Sequence, residues 1–304
     1  MNVLDEGWIL PGPSGVAVGV FDGVHRGHAA VIGTLVDRCR SEGWQTGVMS
    51  FDPHPVSVLA PEHAPALLTT VERRVELLHE LGVDWVGFLD LRQIREMLPG
   101  QFAEEILVDR GQARLVSVGS DFRFGRDRAG DVVTLEKEGN RLGFEVAAID
   151  LVADSSGVVS STRIRSLLAQ GDVTAAASLL GRPHRLSGEV IRGEARGREL
   201  GFPTANLAIP EGLAVPADGI YAVRVAGGVE GIGVASLGVR PTFGPSGERL
   251  LETFVFDFAG DLYGRTLHVD FVARLRGEER FDSVEALVRQ MEDDARQARE
   301  ILSG

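Results

Sequence analysis

The strongest constraint on the fold is a change of pattern partway along the chain. Up to about residue 150, short apolar runs alternate with helix-period segments. GVAVGVF (15–21), TGVMSF (46–51), Asp84 to Leu89, RLVSVG (114–119) and FEVAAI (144–149) read as strands. His28 to Glu42, Thr70 to Leu81 and Gln101 to Val108 read as helices. In the second of these Val71, Val75 and Leu78 share a face, and Thr69 or Thr70 can cap its start. A Val-rich run without polar alternation marks a strand covered on both faces, as in a parallel sheet. Such alternation predicts a doubly wound α/β sheet. Ligands on these sheets bind at the carboxyl ends of strands, so chemistry is sought just after each one.

Beyond about residue 155 the pattern differs. SSTRIRSLLAQGDVTAAASLLG (160–181) predicts two short helices broken at Gly171-Asp172, with Asp172 capping the second and Gly181 ending it. YAVRVAG (221–227), GIGVASLG (231–238), ETFVFDF (252–258) and TLHVDFV (266–272) are short, evenly spaced strand candidates that suggest a small antiparallel barrel. Residues 282–302 form an amphipathic helix with Ser283 as cap and Val284, Leu287, Val288, Met291 and Ala295 as its apolar stripe. With 304 residues, a chain at roughly 150 residues per domain holds about two. The expected division is 1–182 and 183–304.

Charge narrows the function. Lys plus Arg against Asp plus Glu is 17 against 25 up to Arg182 and 14 against 19 beyond it, for a net charge of −13. Neither part is basic, so a general nucleic-acid backbone binder is not expected. Lys137 is the single lysine, and it follows Glu136 in the polar run LEKEGN. A Walker-type loop needs Lys after Gly, so any ATP chemistry in this chain would proceed without that loop. The lone Cys39 excludes an intramolecular disulfide and a cysteine-cluster zinc site. No signal sequence or membrane-length apolar run is evident, which predicts a cytoplasmic protein without a membrane partner.

GVFDGVHRGH (19–28) directly follows the first Val-rich strand. His25 and His28 meet on one face where a helix begins. Gly23 and Gly27 permit close approach of a ligand, and free N–H groups at the helix start suit phosphate. Two imidazoles there can donate hydrogen bonds to a phosphate that gains charge. His-x-x-His alone fits a zinc pair or surface histidines as well; the ten-residue string is far more specific.

That string resembles the HxGH signature of nucleotidyltransferases. In its FDGVHxGH form it resembles the adenylyltransferase domain of prokaryotic bifunctional riboflavin kinase/FAD synthetases. FDPHP (51–55), GSDFRFG (119–125) and SSTRIR (160–165) agree in order. The resemblance implies that His25 and His28 contact ATP phosphates and stabilise adenylyl transfer to FMN without a covalent intermediate. It implies Ser160, Ser161 and Thr162 as hydroxyl donors, with Arg163 and Arg165 as cationic ones; Arg165 is alternatively a surface helix charge. Asp121 would lie near the flavin–nucleotide junction. Phe122 and Phe124 either flank the isoalloxazine or belong to the core. His54 either contacts phosphate or flavin or stabilises a turn. Asp22 either orients its loop or acts on Mg2+ indirectly.

In the second half, GEVIRGEARGRELGFPTANL (188–207) spaces Gly193, Gly197 and Gly201 by four. The segment reads as a loop over phosphates, with Arg196 or Arg198 adding charge, or as a flexible hairpin connection. Thr204 and Asn206 offer neutral oxygens two residues apart, on one side of a strand. Such oxygens suit Mg2+ with substrate phosphates, although Thr-x-Asn alone is common. With LGVRPTF (237–243), LETFVFDF (251–258), DLYG (261–264) and RGEERF (276–281), the pattern resembles the riboflavin kinase domain of the same family.

This second resemblance implies a six-stranded barrel with a packed helix. It also implies Mg2+ and ATP phosphates on Thr204 and Asn206, and Glu252 as the base toward the 5′-hydroxyl of riboflavin. Glu248 is a nearby decoy. Arg276 and Phe281 match a flavin-side motif or anchor the barrel to the helix. One departure is Ser236-Leu237-Gly238, where the family often has Asn-Ile-Gly. The expectation is a bifunctional enzyme with ATP as co-substrate, riboflavin, FMN and FAD as ligands, and no obligate protein partner. A monofunctional adenylyltransferase with a weakened kinase, motivated by Ser236, and a non-catalytic flavin-binding regulator are the alternatives; intact Thr204, Asn206 and Glu252 argue against the first, and intact His25, His28 and Glu252 against the second.

Overall fold

The computed structural model describes residues 2–4, 7–192, 201–239 and 249–303. Contacts divide the chain into two compact units, residues 1–161 and 162–304.

The first unit is built on a parallel sheet of β1 (Asn2–Leu4), β2 (Ser14–Val18), β3 (Gln45–Phe51), β4 (Trp85–Leu89), β5 (Ala113–Gly119) and β6 (Glu145–Ile149). Their order across the sheet is β1-β4-β3-β2-β5-β6. The chain therefore steps one way from β2 through β3 to β4, then resumes on the other side of β2 with β5. That reversal places a switch point at the carboxyl end of β2. All residues of β2 are buried, as required of a central strand covered on both faces. On one face Val16, Val18, Met49 and Val116 join a core with Trp85, Phe102 and Leu135. On the other, Ala17, Val48 and Val86 meet Ile32, Leu35 and Leu78. Gly47 has a packing reason: a Cβ there would stand 1.9 Å from the Trp85 ring.

The helices are α1 (Arg26–Glu42), α2 (Pro55–Leu59), α3 (Val71–Glu80), α4 (Leu91–Ile94), α5 (Pro99–Gln101) and α6 (Val132–Leu142). α5 runs into a π-helical stretch over Phe102–Arg110. α1 begins two residues before its expected start and ends at Gly43 in the left-handed conformation. Thr70 caps α3 by accepting from Arg73 N–H, as expected. α6 is absent from the sequence reading. Only Leu135 and Gly139 are buried along it, so its apolar stripe is too thin to mark a helix. A short hairpin of β7 (Ala153–Asp154) and β8 (Gly157–Val158) follows the sheet.

The second unit begins within α7 (Ser161–Ala169), followed by α8 (Val173–Leu180). Asp172 caps α8 through Ala175 N–H, and Gly181 ends it in the left-handed conformation. The helix pair is bonded to the barrel unit: Ala217 N–H donates to Leu168 O at 2.9 Å, and Thr174 Oγ1 donates to Val272 O at 3.3 Å. The barrel comprises β9 (His184–Ile191), β10 (Ala205–Ala208), β11 (Gly219–Gly227), β12 (Gly231–Val239), β13 (Arg249–Val255) and β14 (Thr266–Arg276). It closes in the order β10-β13-β12-β11-β14-β9, and every neighbouring pair is antiparallel. Both expected architectures are present.

α9 (Val284–Leu302) packs on the outer barrel face through Ala298, Leu302 and Ala295 against Ala222, Val234, Phe254 and Phe256. Ser283 caps it through Ala286 N–H. Two expectations are corrected here. The strand read over 252–258 stops at Val255, because Asp257 turns the chain with φ 56°. Val284 is 57% exposed and lies off the stripe, whereas Asp294 is buried on it. Among the described residues, no helix is long and apolar enough to cross a membrane.

Candidate active sites

The loop after β2 makes its turn at a cost. Phe21 and Val24 adopt φ of 51° and 38°, a region bulky and β-branched residues avoid. Both side chains are nonetheless buried in the core, and Val24 N–H donates to Phe21 O at 3.1 Å. Strain of this kind persists only where surrounding bonds over-determine it, and they do. The buried Asp22 carboxylate accepts from Leu68 N–H at 2.9 Å and from Thr69 N–H at 3.2 Å. Gly23 N–H donates to Thr69 Oγ1 at 3.3 Å. From the other side, Ser161 Oγ donates to Asp22 O at 2.9 Å. Asp22 therefore orients its loop, the first of its two readings.

Beneath the loop lies Arg74, a residue the sequence reading passed over as part of α3. It is only 1% exposed. Its Nη1 reaches Val20 O at 3.3 Å, Ser50 Oγ at 3.1 Å and Phe51 O at 3.1 Å. It thus joins the chain just beyond β2 to the end of β3, where two of the motifs begin. Burial pulls its pKa down, and the carboxylates of Asp22 and Asp52 oppose that pull.

His25 is the N-cap of α1, and its Nδ1 accepts from His28 N–H at 3.3 Å. An accepting Nδ1 carries no proton, so the neutral ring holds its proton on Nε2. The His25 and His28 rings stack with centroids 3.6 Å apart and an interplanar angle of 15°. Gly27 makes room for this, since a Cβ there would meet His25 Cε1 at 3.1 Å. His54 repeats the device at β3: it caps α2, its Nδ1 accepting from Val56 N–H at 3.2 Å. Among the described residues, no group of three or more His, Cys, Asp or Glu is placed to hold a metal.

After β5, Asp121 is exposed. Phe124 is 6% exposed and belongs to the core. Phe122 is half-buried and stacks on it with centroids 5.5 Å apart. Ser160 is half-buried. Thr162, Arg163 and Arg165 lie on the first two turns of α7, with Thr162 exposed and both arginines half-buried.

In the barrel, register decides the second site. Glu252 on β13 lies directly opposite Asn206 on β10 and opposite Ser236 on β12. Directly paired residues share a face, so the three form one row on the outer side of the barrel. Thr204 stands just before β10 rather than on it. Asn206 is 6% exposed, and its buried Oδ1 has no hydrogen-bond partner. One residue further along β13, Thr253 faces inward between Ala205 and Ala235. Its buried Oγ1 is also without a partner. Thr204, Ala205, Thr253 and Val255, together with Leu262 and Tyr263, line a cavity of about 810 Å³, of a size that holds small-molecule ligands.

Family models match both halves: FAD synthetase over residues 10–163 and riboflavin kinase over residues 180–302. The chain is 38% identical over 288 residues to the bifunctional riboflavin kinase/FMN adenylyltransferase of Escherichia coli K12, covering 94% of this chain and 91% of that one. It is 42% identical over 284 residues to that of Pseudomonas fluorescens, covering 93% and 91%. This chain belongs to the bifunctional riboflavin kinase/FMN adenylyltransferase family. A solved structure titled as a macrolide-efflux protein from Streptococcus pneumoniae superimposes with a TM-score of 0.89 at 32% identity, covering 97% of this chain and 96% of that one.

The two family models fall on the two architectures, so the loop after β2 belongs to the FAD synthetase half and the row at β13 to the riboflavin kinase half. In the kinase half, Arg276 is committed to α9: its Nε and Nη2 bond the buried Asp294 carboxylate at 3.0 and 2.8 Å. The same guanidinium lies 5.6 Å from the centre of the Phe281 ring. Asp294 was not legible in the sequence, because a carboxylate on an amphipathic helix reads as solvated. Gly201 adopts φ 84°. Gly193, Arg196, Gly197, Arg198 and Glu248 lie outside the described residues.

Proposed function

We infer how this riboflavin kinase/FMN adenylyltransferase divides its work. The barrel unit phosphorylates riboflavin with ATP to give FMN, and the sheet unit transfers AMP from a second ATP to FMN, giving FAD and pyrophosphate. Residues 1–182 are assigned to the second reaction and 183–304 to the first. The observation that carries the kinase assignment is the row of Asn206, Glu252 and Ser236, with one acceptor buried and unpartnered.

In the kinase step, Glu252 takes the proton of the riboflavin 5′-hydroxyl as that oxygen attacks the γ-phosphorus of ATP, and ADP leaves. A buried acceptor without a donor costs roughly 1–3 kcal/mol. Asn206 Oδ1 therefore fits a cation, and with Thr204 it would hold Mg2+ alongside the ATP phosphates. When bound, Mg2+ neutralises phosphate charge. Gly193 and Gly201 belong to the segment assigned to the phosphates. Ser236 presents a hydroxyl where the family often has the longer Asn, which sets reach toward Glu252. Arg276 acts through Asp294, holding α9 and Phe281 at the flavin side.

In the adenylyl step, a phosphate oxygen of FMN attacks the α-phosphorus in line as the bond to the β-phosphate bridging oxygen breaks. His25 offers Nε2–H, and with His28 it donates to the phosphate as charge builds. The start of α1 adds a partial positive charge. Gly23, Ser160, Thr162, Arg163 and Arg165 complete the phosphate contacts. Ser161 serves by holding the loop through Asp22 O. Asp121, His54 and Phe122 are assigned to the flavin side, with Phe124 supporting Phe122 from the core. The protein is placed in the cytoplasm.

The test is a time course. Purified protein is incubated with riboflavin, ATP and Mg2+, and the flavins are separated by chromatography. FMN should appear first and then convert to FAD. Conversion of added FMN with riboflavin left untouched would overturn the kinase assignment and make Ser236 the first suspect.

A further inference from the structure

β2 and β3 pair in parallel from Ser14 and Gln45 to Val18 and Met49, and Gly19 N–H still donates to Met49 O at 3.1 Å. The next link between the two chains is made by side chains. Ser50 Oγ donates to Val20 O at 2.9 Å and accepts from Arg74 Nη1 at 3.1 Å. Arg74 Nη1 also reaches Val20 O at 3.3 Å and Phe51 O at 3.1 Å. Ser50 is 0% and Arg74 1% exposed, so neither meets a ligand. Both are costly choices for a core position. A buried guanidinium loses its hydration, and its Nε is left without a hydrogen-bond partner. Apolar side chains would fill the same space with no charge to bury. What the pair adds is a bridge between two particular stretches of chain. Val20 opens the loop that ends at His25, the cap of α1, and Phe51 opens the segment that ends at His54, the cap of α2.

We propose that Ser50 and Arg74 are a pair of positioning residues for the adenylyl step, holding the phosphate loop and the flavin-side segment as one body so that ATP and FMN meet in line. The inference rests on the adenylyl assignment given above, in which His25 serves the phosphates and His54 the flavin. Transfer needs a phosphate oxygen of FMN opposite the leaving pyrophosphate at the α-phosphorus, and orientation of this kind carries much of the rate of a two-substrate reaction. Two segments that moved separately would each still bind their own substrate. They would lose alignment, so the pair acts on turnover and not on affinity.

The experiment measures FAD formation from ATP and FMN, each varied in turn, for the full chain carrying Ser50→Ala, Arg74→Met or both. Ser50→Ala should lower kcat roughly three-fold and Arg74→Met about ten-fold, the effects of losing one and several buried hydrogen bonds. The KM for either substrate should change less than about two-fold. The double variant should fall no more than about two-fold below Arg74→Met, because one alignment is lost only once. FMN formation from riboflavin should match that of the unaltered chain throughout. Thermal unfolding shows which variants are folded at the assay temperature; should Arg74→Met unfold, Arg74→Lys takes its place in the cycle. An unchanged kcat in the folded variants would overturn the proposal, leaving the pair as core packing. A raised KM for one substrate at unchanged kcat would overturn it by making the pair the support of a single binding site. Single effects that multiply to about thirty-fold in the double variant would overturn it as two separate roles. Failure of the adenylyl assignment itself shows separately, as an unaltered chain that leaves FMN unconverted.

Discussion

The loop after β2 is held by the protein's own bonds, while the row at β13 leaves one buried acceptor, Asn206 Oδ1, for a ligand to satisfy. Asp22 is tied to Leu68 and Thr69, its carbonyl is tied to Ser161, and Arg74 braces the strand ends below. Across the barrel strands, Asn206 Oδ1 and Thr253 Oγ1 remain unpaired. The difference follows from the backbone each site uses. A sharp loop with Phe21 and Val24 in the left-handed region has no ladder to fix it, so side chains must lock it before any phosphate arrives. A site on paired strands is already rigid through its register, so its polar groups can wait for the ligand. One site is built by bracing, the other by vacancy in its hydrogen bonding.

The comparison breaks most sharply at the chemical groups. Glu252→Gln should lower FMN formation roughly 10²–10⁴-fold while FAD formation from supplied FMN is unchanged, and His28→Ala should lower FAD formation roughly 10²–10³-fold with FMN formation retained. Flavin chromatography on each half-reaction reads both. A single change that removed both activities in a folded protein would contradict two separate sites.

A smaller effect is expected at the brace. Arg74→Met strips donors from the carbonyls of Val20 and Phe51, a loss of roughly 1–3 kcal/mol for buried groups. Tm should fall, and FAD formation should fall about ten-fold with a change in kcat rather than in the KM for ATP. Arg74→Lys should recover part of it, and FMN formation should be unaffected. Equal loss in both half-reactions would show general unfolding rather than positioning.

The smallest effect lies at the surface. Arg299 bonds Asp257 at 2.8 and 3.0 Å and holds its carboxyl below the usual aspartate range. A depressed carboxyl contributes stability above its unfolded pKa and loses it as pH falls through the folded value. Asp257→Asn should therefore lower Tm slightly at pH 7, with the difference closing in acid. A gap that widened in acid would reverse the sign.

What could be read in the sequence was whatever leaves a local signature. A Val-rich run marks β2, and the caps at Thr70, Asp172 and Ser283 stand where the first helical N–H groups need acceptors. The strings around His25 and Glu252 identify the loops and strands that carry chemistry. What could not be read depends on partners distant in sequence. Arg74 looks like any helix arginine until β2 and β3 end above it. Asp294 looks solvated until Arg276 reaches it. The histidines show a third kind of gap: their type and spacing were plain, but their caps on α1 and α2, which engage Nδ1 as an acceptor, appear only with backbone geometry.

The most direct test of the contrast sets Asn206→Leu beside Asp22→Asn, with thermal unfolding and both half-reactions measured for each. Asn206→Leu removes an unpaired acceptor, so FMN formation should be lost while Tm stays level or rises. Asp22→Asn places an amide against two N–H donors, so FAD formation and Tm should fall together. If Asn206→Leu instead lowered Tm as much as Asp22→Asn, the barrel site would be braced like the loop, and the distinction between the two sites would be wrong.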